Sequence, residues 1–387
     1  MLGSMFIGLS GMHAYSAGLR QISNNISNLN SVGFKTTDVH FTDVFSGHGG
    51  GRDGVGYGVT LNDSRLDLAQ GELRQSDREL DLAIDGDGFL VLLRDSEQFF
   101  ARTGSFEVEQ DGFVVLAGTD YRLTVLDEGG NPTPVSINSV RSSEPAATTR
   151  VSFAQNLSST ADSFDLPDLT VYDASGNADT WQVRFERDLT TTGTGSRWEV
   201  IVTNGAGTEI GREELLFNSG VIDPTTLELT FSDADTGTSV VFDFSTDVTS
   251  FSSGTVSTLR VDEVDGYPLG ELVNITINDQ GILEAVYSNG ETLELGAVAI
   301  ANLRDLTRLQ QEGAGLFTVN DNGTIDFRAA SESVRSQLLT GTIEASNVDL
   351  SEEFGNLILI QRGYQASSQV VSVSNDMIQQ LFGLRGQ

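Results

Sequence analysis

Two long stretches, one at each end of the chain, carry apolar residues at helical spacing, and the region between them alternates at the spacing of strands. Alternating steps of four and three from Leu350 give Leu350, Phe354, Leu357, Gln361, Tyr364, Ser368, Val371, Asn375, Ile378 and Phe382, an apolar seam with polar interruptions. The pattern predicts one helix from Asp349 to Gly383, ~50 Å long at ~1.5 Å per residue. Asp349 is a good N-cap, Glu352 stands where a capping box places its acid, Glu353 suits the helix dipole, and Gly383 is a natural stop. The same stepping through Ser4 to Asn28 gives Met5, Leu9, Met12, Ser16, Leu19, Ser23 and Ile26, with Ile22 and Leu29 beside the seam. So long a helix needs a partner along its side, and these seams are the candidate assembly interface. Only Arg20 is charged between Met1 and Phe34, and only Arg362 between Gly355 and Asn375. Water-facing helices usually carry Glu and Lys; these carry Ser, Asn, Gln and Gly, which suits close contact with other copies. The alternative for any one such helix is an intramolecular hairpin packed on a core.

Residues 66–150 read as short strands separated by turns, with apolar runs at Phe89 to Leu93 and Phe113 to Leu116. Ser, Pro, Ala and Thr between Ser142 and Thr149 mark a crossing into an insert. Within the insert, Trp181, Val183 and Phe185, then Leu227, Leu229 and Phe231, then Val240, Phe242 and Phe244 alternate onto one face of a strand, as in a β-sandwich or barrel. Leu272 to Ile277 and Ile282 to Tyr287 flank Asn278 to Gly281 as a returning hairpin, while Ala297 to Leu309 fits strand or short helix. The expected fold is mainly β with long α-helical termini: coiled-coil-like terminal helices plus two β domains, the second inserted in the first. Its parts are a helical assembly domain from 1–34 and 343–387, an extended Gly-rich link at 35–65, an inner β domain from 66–150 and 259–342, and an outer one at 151–258.

Charge narrows the function classes. The 387 residues hold 55 acidic against 22 basic side chains, a formal charge of -33, and Lys35 is the single lysine. That balance repels nucleic acid and anionic membranes. Hydrophobic content of 38% is ample for folded cores, and there is no cysteine for disulfides or thiolate metal sites. The N-terminus lacks the basic region and unbroken apolar core of a secretory signal, so an exported chain would keep its N-terminus. No run approaches the ~20 apolar residues of a membrane span. Gly49 to Gly54 fits G-x-G-x-x-G, but Tyr57 to Leu61 reads as a strand after it, where nucleotide binding needs a helix. Asp85 to Gly88 and Asn320 to Thr324 read as turns rather than calcium loops, because the further oxygen ligands are not at the required spacing. His13, His40 and His48 lie in a helix, a link and the glycine stretch, with no nucleophile and base pairing among them. No enzyme, cofactor or metal is expected.

The run Asn24-Asn-Ile-Ser-Asn-Leu-Asn-Ser-Val-Gly-Phe-Lys35, with Ser346 to Leu350, Gln361-Arg-Gly-Tyr-Gln-Ala-Ser-Ser368, Leu80 to Phe89 and Arg102 to Phe106, resembles the bacterial flagellar axial proteins of the rod and hook, the hook type most. The resemblance covers roughly residues 1 to 150 and 255 to 387. Its motif positions are Asn24, Asn25, Asn28, Asn30, Gly33, Phe34, Lys35, Asn347, Asp349, Gln361, Arg362, Tyr364 and Gln365. Gly363 stands where the family usually has alanine, and Gln369 where it often has lysine. The resemblance implies a structural subunit of an extracellular flagellar joint, self-assembling into a hollow flexible tube that passes motor torque to the filament. Both terminal helices would form an inner tube lining the export channel, with the β domains outside. Implied partners are other copies, the distal rod, the hook cap, the hook–filament junction protein and the export apparatus. The alternatives are a distal rod protein, disfavoured by the insert, and a surface adhesin or binding module, which leaves the two seams without purpose. On this reading Leu357 and Val371 serve assembly rather than folding.

Overall fold

The computed structural model of the chain describes residues 2–45, 56–62, 65–189, 195–319, 325–332 and 336–384. Gly49 to Gly54 with His48, and the Asn320 to Thr324 turn, lie outside them. The described chain is mainly β, framed by α1 (Leu2–Ser27) and α2 (Leu350–Leu384). It forms two compact units, one of residues 1–138, 275–285 and 293–387, the other of 139–274 and 286–292.

The second unit is built around an 11-stranded mixed sheet and one core. In the strand Ala178–Arg187, Trp181, Val183 and Phe185 are buried while their neighbours are exposed, the alternation of a sheet with one face inward. Strand Arg150–Asn156 sends Phe153 into the same core, where it stacks on Phe244 with ring centroids 4.6 Å apart. The unit reaches further than the alternating segment at both ends. Ser142 and Ser143 pair with Glu271 and Gly270, Ala146 bridges Tyr267, and the Asp265 carboxylate accepts from the backbone N–H of Thr149 and Arg150 at 2.8 and 2.9 Å. Composition marked this stretch as a crossing; long-range backbone pairing makes it part of the fold.

In the first unit, strands Asp81–Gly86, Phe89–Arg94, Glu97–Ala101 and Thr103–Val108 belong to a 12-stranded sheet whose core gathers Phe89, Val91, Phe100 and Phe317. Phe89–Arg94 and Glu97–Ala101 form a hairpin in which Leu93 pairs Gln98. Its two-residue loop holds Asp95 and Ser96 at φ 51° and 73°, the geometry whose twist matches that of the flanking strands. The ambiguous stretch at 297–309 resolves into strand Ala299–Leu303 and a 3-10 turn Leu306–Arg308.

Two expectations are corrected here. The segment 35–65 contains strands rather than only an extended link: Phe41–Phe45 pairs with Gly56–Leu61, and Thr37–Asp38 with Arg65–Leu66. The hairpin is held on α1, where Val59 N–H donates to Ser10 Oγ at 3.3 Å and the Phe41 ring lies 5.2 Å from that of Tyr15. Glycine content suggested a spacer, yet Phe41, Thr42, Val44 and Phe45 are the aromatic and β-branched residues that favour a strand. Gly383 does not stop α2, which runs on to Leu384.

Candidate assembly site: the terminal helix pair and its buried junction

The two helices run antiparallel, with Gly8 against Val371, Gly11 against Ser367, Gly18 against Ile360 and Asn25 against Glu353. A Cβ added at Gly8 would lie 2.8 Å from Val371 Cγ2, and one at Gly11 2.6 Å from Ser367 Oγ. Glycine is thus what brings the two backbones close. The covered row of α2 is Glu353, Leu357, Ile360, Tyr364, Ser367, Val371, Ser374 and Ile378, and that of α1 is Gly8, Gly11, Tyr15, Gly18, Ile22 and Asn25. Both rows keep the alternating steps of four and three.

The expected seam residues are divided between covered and exposed positions. Leu357, Tyr364, Val371 and Ile378 lie on the covered row, but Gln361, Ser368 and Asn375 are exposed and Ile360, Ser367 and Ser374 take their places. Leu350 and Phe354 are exposed. Phe382 belongs to α2, and its side chain lies outside the described ones. On α1, Ile22 is buried in the covered row, and Leu29 is half-buried in the turn that follows the helix. Met5 and Leu9 are exposed, and Met12, Leu19 and Ile26 half-buried, on a row one residue further round. Counting apolar side chains selects large residues, whereas close approach selected glycine. Val371 meets α1 of the same chain at Gly8, and Leu357 is half-buried on the same row of α2.

Gly363 explains its own departure from alanine. Its missing Cβ would sit 2.5 Å from the Tyr15 ring, a rigid neighbour already packed on Phe41. Gly363→Ala should gain ~1 kcal/mol of helix propensity and lose ~1–3 kcal/mol to overpacking, a net destabilisation. In a Tyr15→Ala background the same substitution should become stabilising. Thermal unfolding of the four chains checks this, and an unchanged sign in the Tyr15→Ala background would contradict the contact.

At the base of the pair lies a buried polar junction. Lys35 and Glu344 are fully buried and meet at 2.5 Å, and Lys35 Nζ also donates to the Ala69 carbonyl at 2.6 Å. Glu344 Oε1 accepts from Gly71 N–H at 2.7 Å, while Arg102 stands 3.6 Å from Oε2 and donates to the Gly88 and Gly86 carbonyls. Burial pushes the Lys35 amine's pKa down, and the Glu344 carboxylate opposes that shift. Gly33, at φ 68°, turns the chain so that its N–H reaches the Glu344 carbonyl at 2.9 Å. Asn347 Oδ1 accepts from Thr36 N–H at 2.8 Å, and its Nδ2 donates to the Asp67 carbonyl. Asn25 Nδ2 donates to Glu353 Oε1 at 2.7 Å and to the Thr37 carbonyl.

The family-motif residues thus divide in two. Asn25, Gly33, Phe34, Lys35, Asn347 and Asp349 build the junction and the start of α2, where Asp349 Oδ1 caps the N–H groups of Ser351 and Glu352. Asn28 donates back to the Asn24 carbonyl at the end of α1, and Asn24, Asn30, Gln361, Arg362 and Gln365 are exposed, with Tyr364 half-buried against α1. Sequence reasoning missed Glu344, and it quoted Arg102 only as the start of the Arg102 to Phe106 motif. The signal for them was weak: a lone lysine in a motif, which when buried needs an acid.

Burial pushes the Glu353 carboxyl's pKa up; the Asn25 hydrogen bond opposes this, and the carboxylates of Glu352 and Asp38 add to it. The folded chain therefore holds this proton longer than the unfolded one, and stability from it is present at low pH and declines as pH rises above the ordinary value of 4.5. Glu353→Gln, which keeps an oxygen for Asn25, should remove that decline from the α1–α2 melting profile followed by circular dichroism. An unaltered slope would contradict it.

Residues 339–384 match the family described as flagellar basal body rod FlgEFG protein C-terminal, which spans the end of the junction and α2. Over nearly the whole chain the sequence is similar to flagellar hook proteins FlgE. It is 29% identical to that of Escherichia coli (97% of this chain, 98% of that one), 28% to that of Salmonella typhimurium (97% and 98%) and 26% to that of Treponema pallidum (100% of each). The fold is similar to that of Helicobacter pylori flagellar hook protein FlgE2, with a TM-score of 0.50 at 12% identity, covering 68% of this chain and 98% of the other. No helix among the described residues is long and apolar enough to cross a membrane. With part of its motif residues gathered at one junction and its relatives matched from end to end, the chain is similar over its whole length to the flagellar hook proteins, and at its C-terminal end to the rod and hook family.

Proposed function

We propose that this chain is a structural subunit of the flagellar hook, and that copies polymerise through α1 and α2. The observation that carries this is the apolar surface left open on the helix pair. Met5, Phe6 and Leu9 of α1 and Val370, Val373 and Met377 of α2 are between 37% and 67% exposed, all near the free end of the pair. Rows of exposed apolar side chains along a helix mark an interface. In the polymer the helix pairs form a continuous inner tube around the export channel, and the β units stand outside it. Helical packing in the tube resists torsion, and small polar contacts between outer domains let the joint bend while it transmits torque. The terminal helical part, the inner β part and the outer inserted part correspond to 1–34 with 343–387, 66–150 with 259–342, and 151–258. The subunit acts outside the cell, with the distal rod, hook cap, junction protein and export apparatus as its partners.

Sedimentation of the purified full-length chain tests the reading. A sharp critical concentration, above which added protein enters a pelletable polymer, supports it. A monomer or small closed oligomer at every concentration and ionic strength overturns it.

A further inference from the structure

In the second unit, strand Arg150–Asn156 pairs with Ser239–Asp243 along one edge and with Arg260–Val264 along the other, and it buries Val151 and Phe153 completely. Carboxylates hold its first residues from both edges. On one, the Asp265 carboxylate accepts from the N–H groups of Thr149 and Arg150 at 2.8 and 2.9 Å and from the Thr149 hydroxyl at 2.5 Å. On the other, Arg150 Nη1 donates to Asp243 Oδ2 at 2.5 Å and to Glu228 Oε1 at 2.9 Å, while Asp243 Oδ1 accepts from Ser245 N–H at 2.8 Å. The charged groups bonded at this point, among the described residues, are thus Arg150, Glu228, Asp243 and Asp265, and Glu263, opposite Ser152, is the next carboxylate along the neighbouring strand.

We infer that these carboxylates form an acid-sensitive catch: protonating Asp265 and Asp243 frees the start of the strand, and the second unit opens from there as pH falls. A protonated carboxyl loses its charge, and with it the strength of hydrogen bonds made to an anion and the pairing with Arg150. The catch joins distant parts of the chain. Asp265 reaches residues 116 and 115 positions away, and Asp243 one 93 away. By contrast, Asp173 accepts from Ser175 and Asn177 N–H, and Asp223 from Thr225 N–H, so each closes only its own turn. Burial works to raise the pKa of Asp265 and of Asp243, and the hydrogen bonds each accepts outweigh it, which leaves both below the ordinary 3.8. Stability from them is therefore fully present above pH 3.8 and is lost as pH falls through their folded values. Net charge pulls the other way. Acid relieves the self-repulsion of a chain with formal charge -33, which alone would stabilise the unit.

Both tryptophans, Trp181 and Trp198, lie in the core of the second unit, so tryptophan fluorescence of the dilute full-length chain follows this unit. Its melting temperature should fall by roughly 5 °C between pH ~5 and pH ~3. Asp265→Asn keeps an Oδ1 that accepts two N–H groups without a charge, as Asn204 Oδ1 does for Ala206 and Thr208. This variant should melt lower at neutral pH and show only about half of the acid fall, because Asp243 still titrates, whereas Asp173→Asn should show all of it. A melting temperature that holds or rises in acid overturns the inference, as does a fall that Asp265→Asn keeps entire or that Asp173→Asn removes. Hydrogen exchange of the unaltered chain, corrected for the intrinsic effect of pH on exchange, needs no substitution. Residues 149–154 should lose protection at a higher pH than residues 198–203, and loss at the same pH, or no loss, would overturn the catch as well.

Discussion

Lys35→Met is expected to destabilise the first unit by about 3–5 kcal/mol, because it leaves the Glu344 carboxylate buried and without its closest charge partner. Arg102 at 3.6 Å is the remaining cation, and its Nη groups are already committed to the Gly86 and Gly88 carbonyls. Gly71 N–H would still bond to Glu344, so the loss is large without being total. The two tryptophans, Trp181 and Trp198, both lie in the core of the second unit, which supplies an internal control. Helical circular dichroism should melt earlier in the variant, while tryptophan fluorescence keeps its transition. Unchanged helical melting would mean that the junction is not what ties α1 to α2. Lys35→Met with Glu344→Leu should recover most of the loss, since a buried pair replaced by apolar groups of similar volume is often neutral.

Ile360→Glu is the second large effect, expected to open the α1–α2 pair and abolish polymerisation together. Ile360 is 6% exposed and packs at Gly18, where Val39 and Phe41 also stand, so a carboxylate placed there would be buried at an apolar contact. Burying an unpaired charge costs several kcal/mol. Gln361→Glu, one residue on and exposed, should alter helix melting by less than about 0.5 kcal/mol. The pair of variants decides the register of the covered row. Similar melting losses at both positions would contradict the packing described here.

That register illustrates what could and could not be read from the sequence. The start of α2 was legible because Asp349 carries its own cap and the charge-poor, periodic run after it admits few other structures. The alternation of Trp181, Val183 and Phe185 was legible for the same reason: its physics is local. Half of the α2 seam was legible through Leu357, Tyr364, Val371 and Ile378. The other half was hidden because Ser367 and Ser374 are covered by helix approach rather than by apolar preference, and approach is set by Gly8, Gly11 and Gly18 on a helix more than three hundred residues away. Polar residues chosen for closeness look like exposed ones in any hydrophobic pattern. The Lys35–Glu344 pair was illegible on the same grounds, since the partners are 309 positions apart and nothing local to Glu344 distinguishes it among 55 acids. The backbone pairing of Ala146, Thr149 and Arg150 was illegible for the same reason, since its partners are Tyr267 and Asp265 rather than neighbours in sequence.

Electron microscopy of polymer grown from the purified full-length chain tests the central claim most directly. A curved hollow tube with the helix pairs forming its inner wall and the β units outside is the expected result. A straight tube would favour the rod branch of the family over the hook, and a polymer whose inner wall is made by the β units would contradict assembly through α1 and α2.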